Sequence, residues 1–306
     1  MSAGRYRRGQ ILRVLFGVAG LIFMGIVFRE TWDRSQGRVL PGWGYAIGAE
    51  ALIVAGMAGA SRGWVSLFDG QGSKKALAEA FYTAQLGKYV PGAIWQAVGQ
   101  VGMSRRAGVS LAQATVAFPV HALTWLAAGG TVGAALAVLG FHLSVAVRLV
   151  ALLGLLLVLP LRRAWMLRVL GFLTRLLKRG TTEALPSQGA ILRCYGWGIW
   201  THLMSGAAFA LLASSINEGA SPAAAVPAFA LAWTIGFLAV PFPSGVGVRE
   251  LVLIATLASS STAAPVIAAS LAQRLITMVG ELAMILFSRI RRWVPRSRDD
   301  GSSSSG

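Results

Sequence analysis

The stretch Pro241-Phe242-Pro243-Ser244-Gly245-Val246-Gly247-Val248-Arg249-Glu250 interrupts an apolar segment that runs from 223 to 260. Proline and glycine stop a straight helix here, and two ionisable residues follow at once. A second interruption, Gly87-Lys88-Tyr89-Val90-Pro91-Gly92, divides the apolar segment 76–103 in the same way. Broken backbone at membrane depth is tolerated only where it is buried in protein or lines a watery cavity. The two segments therefore read as Pro/Gly-broken re-entrant hairpins, and the rest of the chain is organised around them. The alternative is eight shorter spans.

Composition sets the surroundings. The chain has 306 residues, of which 55% are hydrophobic and 13% charged, where soluble domains carry about 25% charged residues. Mean hydropathy is +0.64, the profile of an all-α polytopic membrane protein. Six full transmembrane helices are expected, at about 11–28, 43–61, 111–131, 142–160, 191–213 and 264–288. They form one integral membrane domain over 1–294, with a basic loop at 161–190. The charged, serine-rich segment 295–306 is expected to be a disordered tail.

The net charge of +17 does not indicate nucleic acid, because the cations sit in short runs between apolar segments. With the N-terminus inside, 21 of the 28 Lys and Arg residues fall in cytoplasmic segments and 4 in outside loops. That asymmetry predicts cytoplasmic N- and C-termini in the inner membrane. Arg5, Arg7, Arg8 and Arg13 precede an apolar run without a small-residue cleavage site, so an uncleaved first span is expected. Under this topology the first hairpin enters from the cytoplasm and the second from outside. Span two, first hairpin and span three then mirror span five, second hairpin and span six. Such an inverted repeat, with interrupted segments at corresponding positions, points to a transporter's midplane site. The mirror lies in punctuation and charge, not in matched residues.

Several chemistries are excluded. The four aspartates, Asp33, Asp69, Asp299 and Asp300, all lie outside the apolar segments. His121, His142 and His202 are far apart and lack metal-site spacing. The single cysteine, Cys194, allows no internal disulfide. No nucleophile elbow or P-loop occurs. No enzyme, cofactor or metal site is expected.

The informative residues are ionisable groups at membrane depth: Glu50, Lys88, Arg249, Glu250, Arg274 and Glu281. Such groups are costly in lipid and mark functional sites by default. Arg249 and Glu250 follow a Gly-rich turn that opens a helix, where free N–H groups favour an anion. If the hairpin tips meet, Lys88 and Arg249 become paired cations suited to a phosphate, with Glu250 holding Arg249 when the site is empty. Structural readings stand beside these. Arg274 and Glu281, two turns apart, pair internally towards Glu250 and Arg249; Lys88 snorkels to the interface. Glu50 faces a polar groove or meets a neighbouring span. His121 and His202 read as packing residues, and Gly129 with Gly133 as a close helix contact.

Lys88-Tyr89-Val90-Pro91-Gly92-Ala93-Ile94-Trp95-Gln96 resembles the "(K/R)Y-x-P-G-x-x-W" element of the lysylphosphatidylglycerol synthase transmembrane-domain family, the flippase-like integral membrane proteins. Pro243-Ser244-Gly245-Val246-Gly247-Val248-Arg249-Glu250 resembles its "P-x-G-x-G-x-R-E" element, and Gln273-Arg274 fits an arginine often found on the last span. The resemblance covers about 10–290 and implies a stand-alone flippase domain without the soluble synthase domain. It implies translocation of an anionic phospholipid or lipid-linked glycan. Lys88, Arg249, Glu250 and Arg274 would bind the headgroup, supported by Tyr89, Pro91, Gly92, Trp95, Gln96, Pro243, Gly245 and Gly247. Glu281 and Glu50 are supporting residues on the reading of the sequence itself. The rival expectation is a membrane scaffold for a lipid or glycan biosynthetic enzyme, docking through 161–190.

Overall fold

The computed structural model describes residue 29 and residues 41–89, 94–139, 143–177, 185–216, 221–239, 245, 247–258 and 261–293, with backbone alone at 89, 94, 172–177 and 289–293. The expected first span, the hairpin tips at Pro91, Gly92 and Pro243, and the tail lie outside these residues. The described residues are helical throughout their regular structure, without strands. In order they form α1 (Trp43–Ser66), α2 (Lys74–Gln85), α3 (Ile94–Arg106), α4 (Leu111–Val138), α5 (Val145–Leu153), α6 (Arg163–Leu177), α7 (Gln188–Ile216), α8 (Pro222–Leu238), α9 (Val248–Leu257) and α10 (Ala263–Trp293).

Four of these, α1, α4, α7 and α10, are long and apolar enough to cross a membrane. The count rises to five if α5, its 3-10 extension Gly154–Leu161 and α6 form one span bent by 94°. The expected straight span at 142–160 is therefore a short α-helix that tightens into 3-10 geometry, with Pro160 near the end of that stretch. The expected basic loop at 161–190 contains a helix, α6.

The interrupted segments become two pairs of short helices. The arms α2 and α3 have 12 and 13 residues, about 18–20 Å at 1.5 Å per residue, so neither reaches across a hydrocarbon core of about 30 Å. The arms α8 and α9 have 17 and 10 residues. Within each pair the arms pack against each other.

Short polar caps fix the ends. Ser110 and Gln113 cap α4 reciprocally, at 3.1 and 3.0 Å. Asp69 closes the end of α1 over the start of α7, accepting from the Ser187 N–H at 2.8 Å and its hydroxyl at 2.6 Å. Along the spans, hydroxyls such as Thr131, Thr201, Thr234 and Thr277 donate to the carbonyl four residues earlier, which hides them where water is scarce.

The helices α1 and α7 run antiparallel. Gly48 lies opposite Leu211, Gly56 opposite Met204 and Gly63 opposite Cys194, and Thr201 donates across the seam to the Gly56 carbonyl at 3.0 Å. Other contacts among α1–α4 and α7–α10 form matched pairs. Where α1 touches α2, α7 touches α8. The contacts α2–α10, α3–α4 and α1–α10 are answered by α8–α4, α9–α10 and α7–α4. Gly129 and Gly133, expected at a close contact, lie against Thr234 and Leu231 of α8.

Candidate functional site

Helix α10 organises the site. Leu275, Val279, Leu282 and Leu286 on one side are exposed, as suits a lipid-facing stripe. Ser270, Gln273, Arg274, Thr277, Gly280 and Glu281 recur at three- and four-residue steps on the inward side. Two ion pairs sit on that polar stripe, each to a different hairpin. Arg274 Nη2 donates to Glu250 Oε1 at 3.0 Å, with both side chains largely buried. Two turns further on, Lys88 Nζ pairs with Glu281 Oε1.

The second hairpin presents Arg249 and Glu250 from the first turn of α9. Its N-cap, Gly247, has φ +84°, and Gly245 has φ +66°, a region that favours glycine. The turn must also lie close to α8, because a Cβ on Gly245 would sit 2.8 Å from the Gly236 backbone. Glu250 Oε2 accepts the Gly247 N–H at 2.8 Å, and Oε1 accepts the Ser270 hydroxyl at 2.8 Å as well as Arg274. Glu250 holds Arg274, as the structural reading of the last span has it, and not Arg249, and it supplies to the helix start one of the acceptors an anion would give.

Arg249 is thereby left as a cation without a carboxylate partner among the described residues. Its guanidinium carbon lies 5.0 Å from the centre of the Phe229 ring, a weak cation–π contact, and its Nε is buried without a hydrogen bond. Its stem packs on Gly236, where a Cβ would come 2.5 Å from Arg249 Cγ. Arg274 Nε is likewise buried without an acceptor. Arg249, Arg274 and Glu250 carry one net positive charge, and unmet N–H groups remain on both arginines.

The first hairpin is built alike. Gly87 packs on the first turn of α3, where a Cβ would lie 2.5 Å from the Gln96 nitrogen. Gln96 Nε2 donates to Gln85 Oε1 at 3.2 Å. Trp95 is 41% exposed, so it points away from this contact. Tyr89 lies in the 3-10 turn Leu86–Tyr89. Lys88 meets Glu281 and not Arg249, so the two cations occupy separate levels of α10. Glu50 reaches the same helix at Gly280, where a Cβ would lie 2.7 Å from Glu50 Oε1.

Sequence reasoning missed Ser270, Phe229, Gly236 and Gln85. For Ser270 a signal existed: it and Arg274 are four apart, which aims both at one acceptor. It also missed an aromatic ladder. His121 meets Trp64 and Phe81 edge-on and lies tilted against Trp125, and His202 meets Trp125 and Trp233 edge-on. His202 Nε2 lies 3.2 Å from the Trp125 carbonyl, whereas His121 Nε2 is buried without a hydrogen bond. Among the described residues no group of three His, Cys, Asp or Glu side chains could hold a metal ion. No protein-family model and no curated protein matches the chain.

Proposed function

We propose that this chain translocates an anionic phospholipid or lipid-linked glycan across the cytoplasmic membrane, as a protein of the flippase-like type it resembles. The observation that carries the reading is Arg249: a partly buried arginine at the start of α9 whose Nε is buried without a hydrogen bond, with no carboxylate within ion-pair distance among the described residues. A buried cation is stable only with a counter-charge, and a phosphate headgroup supplies one with bidentate geometry.

The architecture in this reading is six spans and two re-entrant hairpins, with both termini cytoplasmic. The shortness of α2, α3 and α9 and the matched contacts of the two halves support an inverted repeat. So does a detail at residue level: Gly87 packs on Gln96 as Gly236 packs on Arg249, closing each hairpin at the same point. The headgroup passes between the hairpins while its chains stay in lipid. The proposed activity is transport, without chemical change of the lipid.

The test is native mass spectrometry of the gently purified protein, wild type beside Arg249→Ala, followed by reconstitution with the retained lipid. Retention of one anionic lipid by wild type and its loss in the variant is the expected result. Identical bulk lipids in both would sink the reading. One observation favours a second function. Arg162, Arg163 and Arg168 gather where α6 turns by 94° from the preceding stretch, a basic surface on which a membrane scaffold would dock an enzyme. A scaffold would tolerate Arg249→Ala and fail on neutralisation of α6.

A further inference from the structure

Helix α6 leaves the preceding stretch at a corner that one side chain pins twice. Gln188, at the start of α7, accepts the Arg163 N–H on Oε1 at 2.7 Å, and its Nε2 donates to the Leu161 carbonyl at 3.1 Å. Met166 and Leu170, both buried, then seat α6 in the core cluster that also holds Leu67, Phe68, Ala107 and Leu185. Leu67 and Phe68 follow α1, and Ala107 follows α3, so α6 is fixed at the end of the bundle where the cations concentrate, the cytoplasmic end of the topology above.

The stretch before the corner exposes Leu149, Leu152, Leu153, Leu156 and Leu159, a surface for lipid. Read as part of a span, Val145–Leu161 follows the bilayer normal, and α6, bent from it by 94°, lies in the plane of the membrane. The corner and the outward side of α6 carry the exposed Arg162, Arg163 and Arg168. Among them Trp165 is 48% exposed, with the Arg168 guanidinium carbon 5.2 Å from its ring centre. Over 161–190 the chain has six Lys or Arg and one acidic residue, Glu183. Topology alone explains an excess of cations on this side. It does not explain a half-exposed indole among them, which belongs where one end of the ring is dry and the other wet.

We propose that α6 is an interfacial helix that binds the headgroups of anionic phospholipids in the cytoplasmic leaflet, at a site separate from Arg249. Trp165 sits at the level of the headgroups, and the guanidinium groups beside it take lipid phosphates, for which their planar fork is suited. Basic residues held at an anionic surface attract such lipids, and salt weakens the attraction. A surface at membrane level favours lipid over a soluble enzyme as its occupant. The site rests on Val145–Leu161 being a span. It does not need translocation, although on that reading it gathers anionic lipid on the side from which the first hairpin enters.

The test uses the full chain in lipid nanodiscs and two readouts. The fluorescence lost in Trp165→Phe is the share of Trp165, and lipids brominated near the headgroup should quench that share more than aqueous acrylamide does. Spin-labelled phosphatidylglycerol should be held at the protein surface in preference to spin-labelled phosphatidylcholine. Changing Arg162, Arg163 and Arg168 together to Gln should lower that preference at least about threefold. The same loss of charge at Lys74, Arg105 and Arg106, exposed at the same end, should lower it far less. Arg249→Ala should leave it unchanged, which separates this surface from the proposed translocation site. Quenching of Trp165 by acrylamide and not by brominated lipid places the helix in the cytosol and overturns the proposal in favour of a docked protein. Equal losses in the two triple variants reduce the preference to general charge and overturn it as well. If the α6 triple variant does not fold, Arg168→Gln against Arg106→Gln decides, and equal preference in these two overturns it.

Discussion

Arg249 and Arg274 differ in one respect that decides what each is for: among the described residues Arg274 has a carboxylate within ion-pair distance and Arg249 has none. Replacing Glu250 by alanine strands Arg274 and opens the start of α9, so it should cost about 3–5 kcal/mol, the usual penalty for breaking a buried pair. A fall in thermal stability measured in detergent checks this. Arg249→Ala should leave thermal stability nearly unchanged and lower retention of the bound anionic lipid at least about tenfold, or roughly 1.4 kcal/mol. Arg249→Lys should recover only part of it, because an ammonium cannot grip a phosphate bidentately. The sequence carried most of this. Arg249, Glu250 and Arg274 stood out as charges in apolar runs. The Arg274–Glu250 pair was among the readings, but the pairing of Glu281 with Lys88 rather than Arg249 was hidden, because it depends on where each interrupted segment meets α10.

At the level of elements, each pair of short helices is closed by a glycine, Gly87 in the turn after α2 and Gly236 on α8, meeting the first turn of the second helix. Gly245→Ala should destabilise the second hairpin more than Gly236→Ala. The former meets both a positive φ and the Gly236 backbone, whereas the latter meets the side-chain stem of Arg249, which can move. Comparing unfolding midpoints of the two variants tests the order. Proline and glycine made these breaks legible in advance. The closing glycines were not, since Gly87 and Gly236 resemble any other glycine in a chain that has 37. Helix α6 was missed for a related reason: its arginines suggested a loop, although Trp165, Met166, Leu170 and their neighbours give it one apolar face, with Met166 and Leu170 buried.

For the whole molecule, the antiparallel seam of α1 and α7 makes a direct prediction. Cys194 is the single cysteine, and a Cβ added at Gly63 would lie 3.6 Å from its sulfur, within reach of a disulfide after small adjustment. Gly63→Cys should therefore form an intramolecular cross-link on oxidation, seen as a shift on a non-reducing gel, and a parallel arrangement would give none. Helix α10 also constrains biogenesis. An arginine at the centre of a span costs about 2.5–3.5 kcal/mol at the translocon, and Glu281 adds to the burden, yet both partners, Glu250 and Lys88, lie earlier in the chain. By the time α10 leaves the ribosome, its counter-ions are already waiting in the bilayer. Its insertion is the step that completes both ion pairs at once, so a nascent chain halted before it would hold neither.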